Sequence, residues 1–432
     1  MATPSSNSTE PVPGTRAAGP YAWYVLALLS LTYVLNFIDR QILAMLIEPI
    51  KKEFGVSDTA MGFLSGFAFV FFYTIAGIPV ARWADRGSRK TIITAALVIW
   101  SAMTAVCGFT RSFAQLAVAR VMVGVGEAGG SPPAHSLISD YFPPRQRATA
   151  LAIYAWGVYI GAALAFLAGG YLIQRYDWRS AFVIVGLPGI ALATLFALTV
   201  REPPRGWSEG RSAAPAPPLV ETLRHLANSR AFVLITLGSS IQSLSGYGVL
   251  TWGPTFLSRV HAMSWSDIGI ALGSIIGVAG CLGAFVGGRL ADRFGVRDAR
   301  WYMRLPAIQS LLCVPFVSGF VLMPTPEGSL LSFIPFYALG AMYLGPMFAV
   351  IQGLVPLRMR TLASAILLFV VNMVGLGLGP LAIGVLNDHV FPAHGAEAIR
   401  YSMLVMGVAG GGAALLFWLS SRTLESELRR AD

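Results

Sequence analysis

The sequence predicts an all-α membrane protein of twelve transmembrane helices, arranged as two six-helix bundles related by a pseudo-two-fold axis. Three observations predict it. First, 55% of the 432 residues are hydrophobic, only 12% are charged, and mean hydropathy is +0.65. Soluble domains carry roughly 25% charged residues, so most of this chain is composed for lipid. Second, twelve apolar runs follow one another, each near the ~20 residues that cross a bilayer as a helix. Third, the halves repeat. Ala81-Arg82-Trp83-Ala84-Asp85-Arg86-Gly87-Ser88-Arg89-Lys90 aligns with Gly288-Arg289-Leu290-Ala291-Asp292-Arg293-Phe294-Gly295-Val296-Arg297, an offset of 207 from 81 to 288. Pro144-Arg145-Gln146-Arg147-Ala148 likewise resembles Leu357-Arg358-Met359-Arg360-Thr361. Both copies fall on the same side of the membrane, which makes the halves parallel repeats about an axis along the membrane normal.

Taken in order, residues 1–21 are rich in Pro, Ser and Gly. No basic region precedes a short apolar core, so they read as a disordered cytoplasmic N-terminus and not as a cleaved signal. The first bundle, 22–199, holds apolar spans near 22–46, 60–81, 90–109, 113–137, 148–173 and 179–199. A cytoplasmic linker, 200–230, contains Arg201-Glu202-Pro203-Pro204-Arg205 and the tract Ala213-Ala214-Pro215-Ala216-Pro217-Pro218, with a possible surface helix over 221–228. The second bundle, 231–421, holds spans near 231–257, 268–290, 303–324, 330–354, 361–387 and 398–421, followed by a cytoplasmic tail, 422–432. With the N-terminus inside, 22 of the 31 Lys and Arg fall in cytoplasmic segments and 7 in outer ones, which orients both termini inward.

The net charge of +10 would suggest nucleic acid in a soluble protein, but here the cations sit in loops between apolar runs. Cys107, Cys281 and Cys313 all lie inside apolar runs and read as small core residues. The five histidines form no ligand spacing. With no paired-carboxylate site, no metal-ligand spacing and no nucleophile–base motif, the chain does not read as an enzyme. It is expected to hold no metal, to bind no nucleic acid and to act as a monomer among membrane lipids.

Four ionisable residues lie well inside apolar spans: Asp39 and Arg40 in helix 1, and Arg120 and Glu127 in helix 4. A charge at a helix centre costs on the order of 3 kcal/mol on insertion scales and usually faces a bundle interior. Seven residues are about two turns, so a continuous helix over 113–137 puts Arg120 and Glu127 on one face, roughly 10 Å apart. Gly124 and Gly126 between them admit a close neighbour. The plainer alternative is a structural ion pair that locks this helix to another. Asp39 and Arg40 are adjacent and cannot share a face, and Asp39 paired with Arg120 as structural glue is the plain reading for that acid. Glu127 has no cation within one turn of its own helix and reads as unpaired. Burial disfavours a carboxylate's charge, and a carboxyl that takes up a proton near neutral pH suits a proton carrier.

The loops at Asp85-Arg86 and Asp292-Arg293-Phe294-Gly295 resemble the signature loop of the major facilitator superfamily, although Ala81 and Ser88 stand where that pattern has glycine. Arg120-x-x-x-Gly124-x-Gly126 resembles the family's helix-4 motif, associated with proton coupling, and Trp178-Arg179-x-Ala181-Phe182 is also similar. Asn36-Phe37-Ile38-Asp39-Arg40 and the run from Arg120 to Ala128 resemble the spinster-like branch. Members with known substrates carry lysolipids and sphingolipid phosphates, usually with proton coupling.

This resemblance implies the major facilitator fold, with helices 1, 4, 7 and 10 around a central cavity. It implies a secondary-active transporter working by alternating access. Glu127 and Asp39 are then the proton-coupling residues, and the proton is the coupling ion with no other cofactor. Arg40, Arg120, Tyr33 and Asn36 are candidate substrate ligands on one wall. Gln242 and Tyr247 on helix 7 and Tyr337 and Tyr343 on helix 10 are candidates on the other, which carries no acid or base away from helix ends. A charged wall facing an aromatic one suits an amphiphilic anionic or zwitterionic substrate such as a lysophospholipid or sphingoid phosphate. A drug exporter or organic-acid transporter is the alternative, and a non-transporting scaffold a remote one. Asp85, Arg86, Arg89, Asp292 and Arg293 are expected to latch the cytoplasmic face to helices of the opposite half. The expected location is a plasma membrane, the inner membrane of a bacterium.

Overall fold

The computed structural model describes residues 18–204, 219–356 and 359–431, apart from the side chains at 78, 81, 85, 86, 361 and 429–431. The expected N-terminal tail and much of the linker therefore lie outside the described residues. Among the described residues there is no strand. Among the described residues eleven helical segments are long and apolar enough to cross a membrane, and a twelfth apolar segment is broken into two shorter helices.

The first half comprises α1 (Pro20–Phe54), α2 (Asp58–Ser65 continuing as Phe67–Arg86), α3 (Arg89–Cys107), α4 (Phe113–Glu127 and Ser131–Tyr141), α5 (Pro144–Arg175) and α6 (Trp178–Thr199). The second comprises α7 (Arg230–His261), α8 (Trp265–Gly295), α9 (Trp301–Leu322), α10 (Pro326–Ala341 and Leu344–Gly353), α11 (Arg360–Asn372 to Leu386–Val390) and α12 (Ala398–Gly411 and Ala413–Ala431). A connector helix, Leu219–Asn228, precedes α7.

Two expectations need correction. α1 runs to Phe54 rather than 46, passing through Pro49, and stops where Gly55 takes a left-handed conformation at φ +63°. Asp39 and Arg40 therefore sit near the middle of a 35-residue helix, not close to its end. α4 is not continuous: residues 128–130 form a turn directly after Glu127. Pro132 and Pro133 open the second piece. A proline there lacks the N–H that would bond four residues back, so an unbroken ladder cannot pass through them. α10 breaks at Met342 and Tyr343. From Gly129 to Met342 is 213 residues, the same offset as from Pro144 to Leu357, so the break is itself part of the repeat. α11 carries two wide π-helical turns, Met373–Leu378 and Leu386–Val390.

The halves meet through α1 on α7, α2 on α11 and α5 on α8. Glycines make these approaches possible. A Cβ at Gly62 would stand 2.5 Å from the Pro380 carbonyl oxygen, and one at Gly170 would stand 2.4 Å from that of Trp265. These contacts lie toward the end of the bundle opposite the linker. Toward the middle and the linker end, Gly77, Gly246, Gly288 and Gly340 have nothing within 4 Å of a Cβ position. The halves are thus in close backbone contact at the far end.

Candidate functional site

The site is built on the break in α4. Gly126 and Gly129 let α4 lie against α3, where added Cβ atoms would stand 2.7 Å from the Trp100 nitrogen and from the Ala96 Cβ, respectively. Gly124 presses on α2, with the Phe69 carbonyl oxygen 2.7 Å from its Cβ position. Held on both sides, the last residue before the break, Glu127, is 1% exposed and projects to α1.

There the structure overturns one expectation. Glu127 is not unpaired: its Oε2 accepts from Arg40 Nη2 at 2.7 Å and from Arg40 Nε at 3.2 Å. The partner comes from another helix, so spacing along α4 carried no sign of it. The other carboxylate oxygen, Oε1, makes no hydrogen bond among the described residues. Arg40 also lies within a long 3.5 Å of Asn36 Oδ1. Its guanidinium is ringed by aromatics, with Phe37 and Phe69 centroids at 5.1 Å and Tyr73 at 5.2 Å. Such faces stabilise a desolvated cation by about 2 kcal/mol.

Asp39 and Arg120 form a second layer on the other side of α1. Arg120 Nη1 donates to the backbone oxygen of Asp39 at 3.2 Å, and not to its carboxylate, so the expected side-chain glue is not formed. Asp39 is buried beside Thr104 of α3, and its Oδ1 has no hydrogen bond among the described residues. Arg120 is 1% exposed and lies over the Phe69 ring at 5.6 Å. Its position fixes α4 to the backbone of α1.

The remaining candidates separate. Tyr33 stacks on Tyr154 with centroids 4.3 Å apart and packs edge-on to Phe37 at 5.1 Å, which puts it beside the Arg40 cluster. Tyr247 reaches from α7 to face Arg40 and Tyr73 in the opposite half. Tyr337 meets Tyr159 of α5 over Gly280, whose Cβ position lies 2.9 Å from Tyr337 Cε1 and 2.7 Å from Tyr159 Cδ1. Gln242 and Tyr343 turn into the second half. Gln242 is buried beside Cys313 of α9, and Tyr343 packs on Phe417 of α12 at 6.4 Å. Arg40, Glu127, Asn36, Tyr33 and Tyr247 are therefore brought together, Asp39 and Arg120 stand behind them, and Gln242 and Tyr343 do not join them.

The linker end differs from the expected latch. The side chains of Asp85 and Arg86 lie outside the described part of the structure. Arg89 does not cross to the other half. Its Nη1 donates to Asp140 and, at 2.9 Å, to Ser136 Oγ; its Nε donates to Glu202 of the linker at 2.7 Å, and none of these partners lies in the second half. Glu202 also accepts from the Lys90 N–H at 2.7 Å and so caps α3. Partial burial pushes the Glu202 carboxyl up, but the Lys90 N–H and Arg89 outweigh it and hold it below its ordinary value. Its contribution is therefore present above the ordinary glutamate range of about 4.3 and is lost as pH falls through the lower folded value. Asp292 and Arg293 are exposed, Asp292 beside Tyr302 of α9. Because Arg89 is almost wholly buried, Arg89→Ala is expected to lower the stability of the first bundle by about 3 kcal/mol. Thermal unfolding in detergent, compared with exposed Arg293→Ala as a near-neutral control, checks this.

A feature the sequence reading missed lies at the far end. Arg259 of α7 donates from Nη1 and Nη2 to the two oxygens of Asp58 on α2, at 2.6 and 2.8 Å. Its Nε donates to Glu48 of α1 at 2.6 Å. Lys51 and Asn387 add bonds of 2.5 and 2.8 Å to Asp58. Asp388 of α11 accepts from the backbone N–H of Thr59 at 2.6 Å, capping α2 from the opposite half. This network clasps α1 and α2 to α7 and α11. The residues stand 201 and 329 positions apart in sequence, and the one available sign was acids and bases clustered at helix ends that would share a membrane face.

The comparisons with known proteins agree with this architecture. The model of the Major Facilitator Superfamily matches residues 29–372. An MFS-type efflux pump of Mycolicibacterium smegmatis is 36% identical over 93% of this chain and 92% of its own. Protein spinster homolog 1 of Homo sapiens is 28% identical over 94% and 82%. Among solved structures, a bacterial homolog to the human lysosomal transporter Spinster, inward-facing and unoccupied, superposes with a TM-score of 0.86 at 32% identity, covering 94% of this chain and 98% of that one. A D-xylose-proton symporter shares the fold with a TM-score of 0.73 at 18% identity.

Proposed function

Since the chain belongs to the major facilitator superfamily, and within it to the spinster-like branch, it is an integral membrane transporter, and we propose that it is secondary-active and proton-coupled, with an amphiphilic anionic or zwitterionic substrate. The observation that carries this reading is the Arg40–Glu127 pair. It places a fixed cation and a protonatable anion in contact, buried, at the seam between the halves. One guanidinium cannot satisfy both Glu127 and a substrate phosphate or carboxylate at full strength. Substrate binding would release Glu127, and the released carboxyl would take up a proton because burial disfavours its charge. Loss of that proton would restore the pair and expel the substrate. Asp39, buried behind the pair, is a second proton holder in this reading, and Arg120 keeps α1 and α4 in register.

The positive-inside count supports a cytoplasmic linker end. In that orientation the far-end clasp would close the outer face, and substrate would reach Arg40 from the linker end. Tyr247, Tyr337 and the apolar surface of the second half would receive the hydrocarbon body, opposite the Arg40 head-group site.

Proton-coupled export of a drug-like compound is the second reading. It is favoured by the higher identity to the mycobacterial efflux pump than to the human spinster homolog. Binding separates the two. Arg40→Ala should weaken a lysophospholipid or sphingoid phosphate by about 1.5–3 kcal/mol, the range of a charge-assisted hydrogen bond, and leave its dephosphorylated analogue nearly unchanged. Equal effects on both compounds would remove the head-group assignment and leave the exporter reading.

A further inference from the structure

The connector helix Leu219–Asn228 is not accounted for by transport. One edge of it is fixed to the protein: Thr222 and Leu226 are buried, and Leu226 joins Phe232 of α7 and Ala363 of α11 in one core cluster. The next edge is apolar and bare. Leu219 is 54% exposed, Val220 70% and Leu223 44%. At 100° per residue these three fall within an arc of about 100°, beside the buried edge. Glu221, Arg224, His225 and Asn228 occupy the opposite side.

The placement of this helix points to its partner. It ends at Asn228, Ser229 caps α7, and α7 begins at Arg230. That cap is held firmly, with Ser229 Oγ donating to Glu427 of α12 at 2.6 Å and the Ala231 N–H donating to the same carboxylate at 3.1 Å. Within the first two turns of α7, Val233 and Leu237 are again exposed aliphatics on a membrane-spanning helix. The bare edge of the connector therefore lies seven to eleven residues before α7, a membrane-spanning helix, begins. Arg224, one turn on from Val220, stands on the border between that edge and the polar side, and Arg230 opens α7.

We infer that the connector helix is an interfacial anchor: Leu219, Val220 and Leu223 insert into the leaflet at the linker end, and Arg224 and Arg230 engage anionic phospholipid head groups. An amphipathic helix of this kind seats its apolar face roughly 5–10 Å into the head-group and acyl boundary. Basic residues beside it gain from the negative surface of an anionic leaflet. The anchor would fix where the second half sits in depth while the halves rock.

The test uses full-length protein with Cys107, Cys281 and Cys313 replaced by alanine, carrying one nitroxide at 220, 221, 223 or 225. It is reconstituted in phosphatidylcholine vesicles with and without phosphatidylglycerol. Positions 220 and 223 should favour collision with oxygen, positions 221 and 225 with a water-soluble nickel chelate. The label at 220 should sit deeper when phosphatidylglycerol is present. A nickel preference at all four positions would overturn the inference. So would a label at 220 that becomes immobile only on addition of soluble protein, since that result assigns the edge to a protein partner. If the cysteine replacements unfold the chain, p-benzoylphenylalanine placed at position 220 of the native-cysteine protein supplies the readout. Crosslinking to phospholipid supports the anchor, and its absence in vesicles where a lipid-facing position such as 237 does crosslink rejects it.

Discussion

Glu127→Gln is expected to bind substrate and to transport it with no dependence on a pH gradient. The reason lies in the pair with Arg40, which is 2.7 Å long and buried. On the proposed reading the substrate's anion and the Glu127 carboxylate compete for one guanidinium, which would link binding to protonation. Glutamine keeps the shape and an acceptor oxygen but cannot change its charge. Removing one partner of a buried ion pair outright costs about 3–5 kcal/mol. The amide, by retaining a hydrogen bond to Arg40, should cost less, so the variant should remain folded. Reconstituted flux should then be the same with and without an imposed gradient, while the native protein responds to it. A variant that still follows the gradient would take Glu127 out of the coupling and leave Asp39 as the candidate.

Arg259→Ala is expected to open the far end. Arg259 binds both oxygens of Asp58 and reaches Glu48 as well, so one side chain ties three helices across the two halves. These bonds exist only while the far end is closed. Deleting the guanidinium leaves Asp58, which is nearly inaccessible, with Lys51 and Asn387 alone. A loss of about 3 kcal/mol from the closed state would shift the equilibrium toward the open one by about two orders of magnitude. Spin labels at exposed positions 52 and 389 report the separation of the halves. The native protein should give one short distance, and Arg259→Ala should add a longer one. An unchanged distribution would mean that the glycine-mediated contacts of α2 on α11 and α5 on α8 hold the far end closed without the clasp.

Most of the fold was legible because lipid imposes it: the length and apolarity of the spans are local properties, and the loop repeat from 81 to 288 sets the relation between halves. The buried ionisable cluster was legible for the same reason, since Asp39, Arg40, Arg120 and Glu127 stand out against apolar runs. What the sequence did not carry was tertiary. Whether Glu127 is paired depends on a seven-atom side chain reaching from another helix. Whether Asp39 meets Arg120 by carboxylate or by backbone depends on the rotation of α1. The Asp58–Arg259 clasp joins residues 201 apart, each ordinary at the end of its own helix. The break in α4 was partly legible, because Gly129-Gly130 followed by Pro132-Pro133 argues against a continuous helix, and the apolar pattern alone masked it.

The central claim is that substrate and Glu127 exchange places on Arg40. The most direct measurement is proton uptake on binding, followed with a pH indicator in weakly buffered detergent solution near neutral pH. Addition of a lysophospholipid or sphingoid phosphate to the native protein should make the medium more alkaline, by up to one proton per substrate bound, and the signal should vanish in Glu127→Gln. Saturable binding to the native protein with no proton taken up would contradict the exchange.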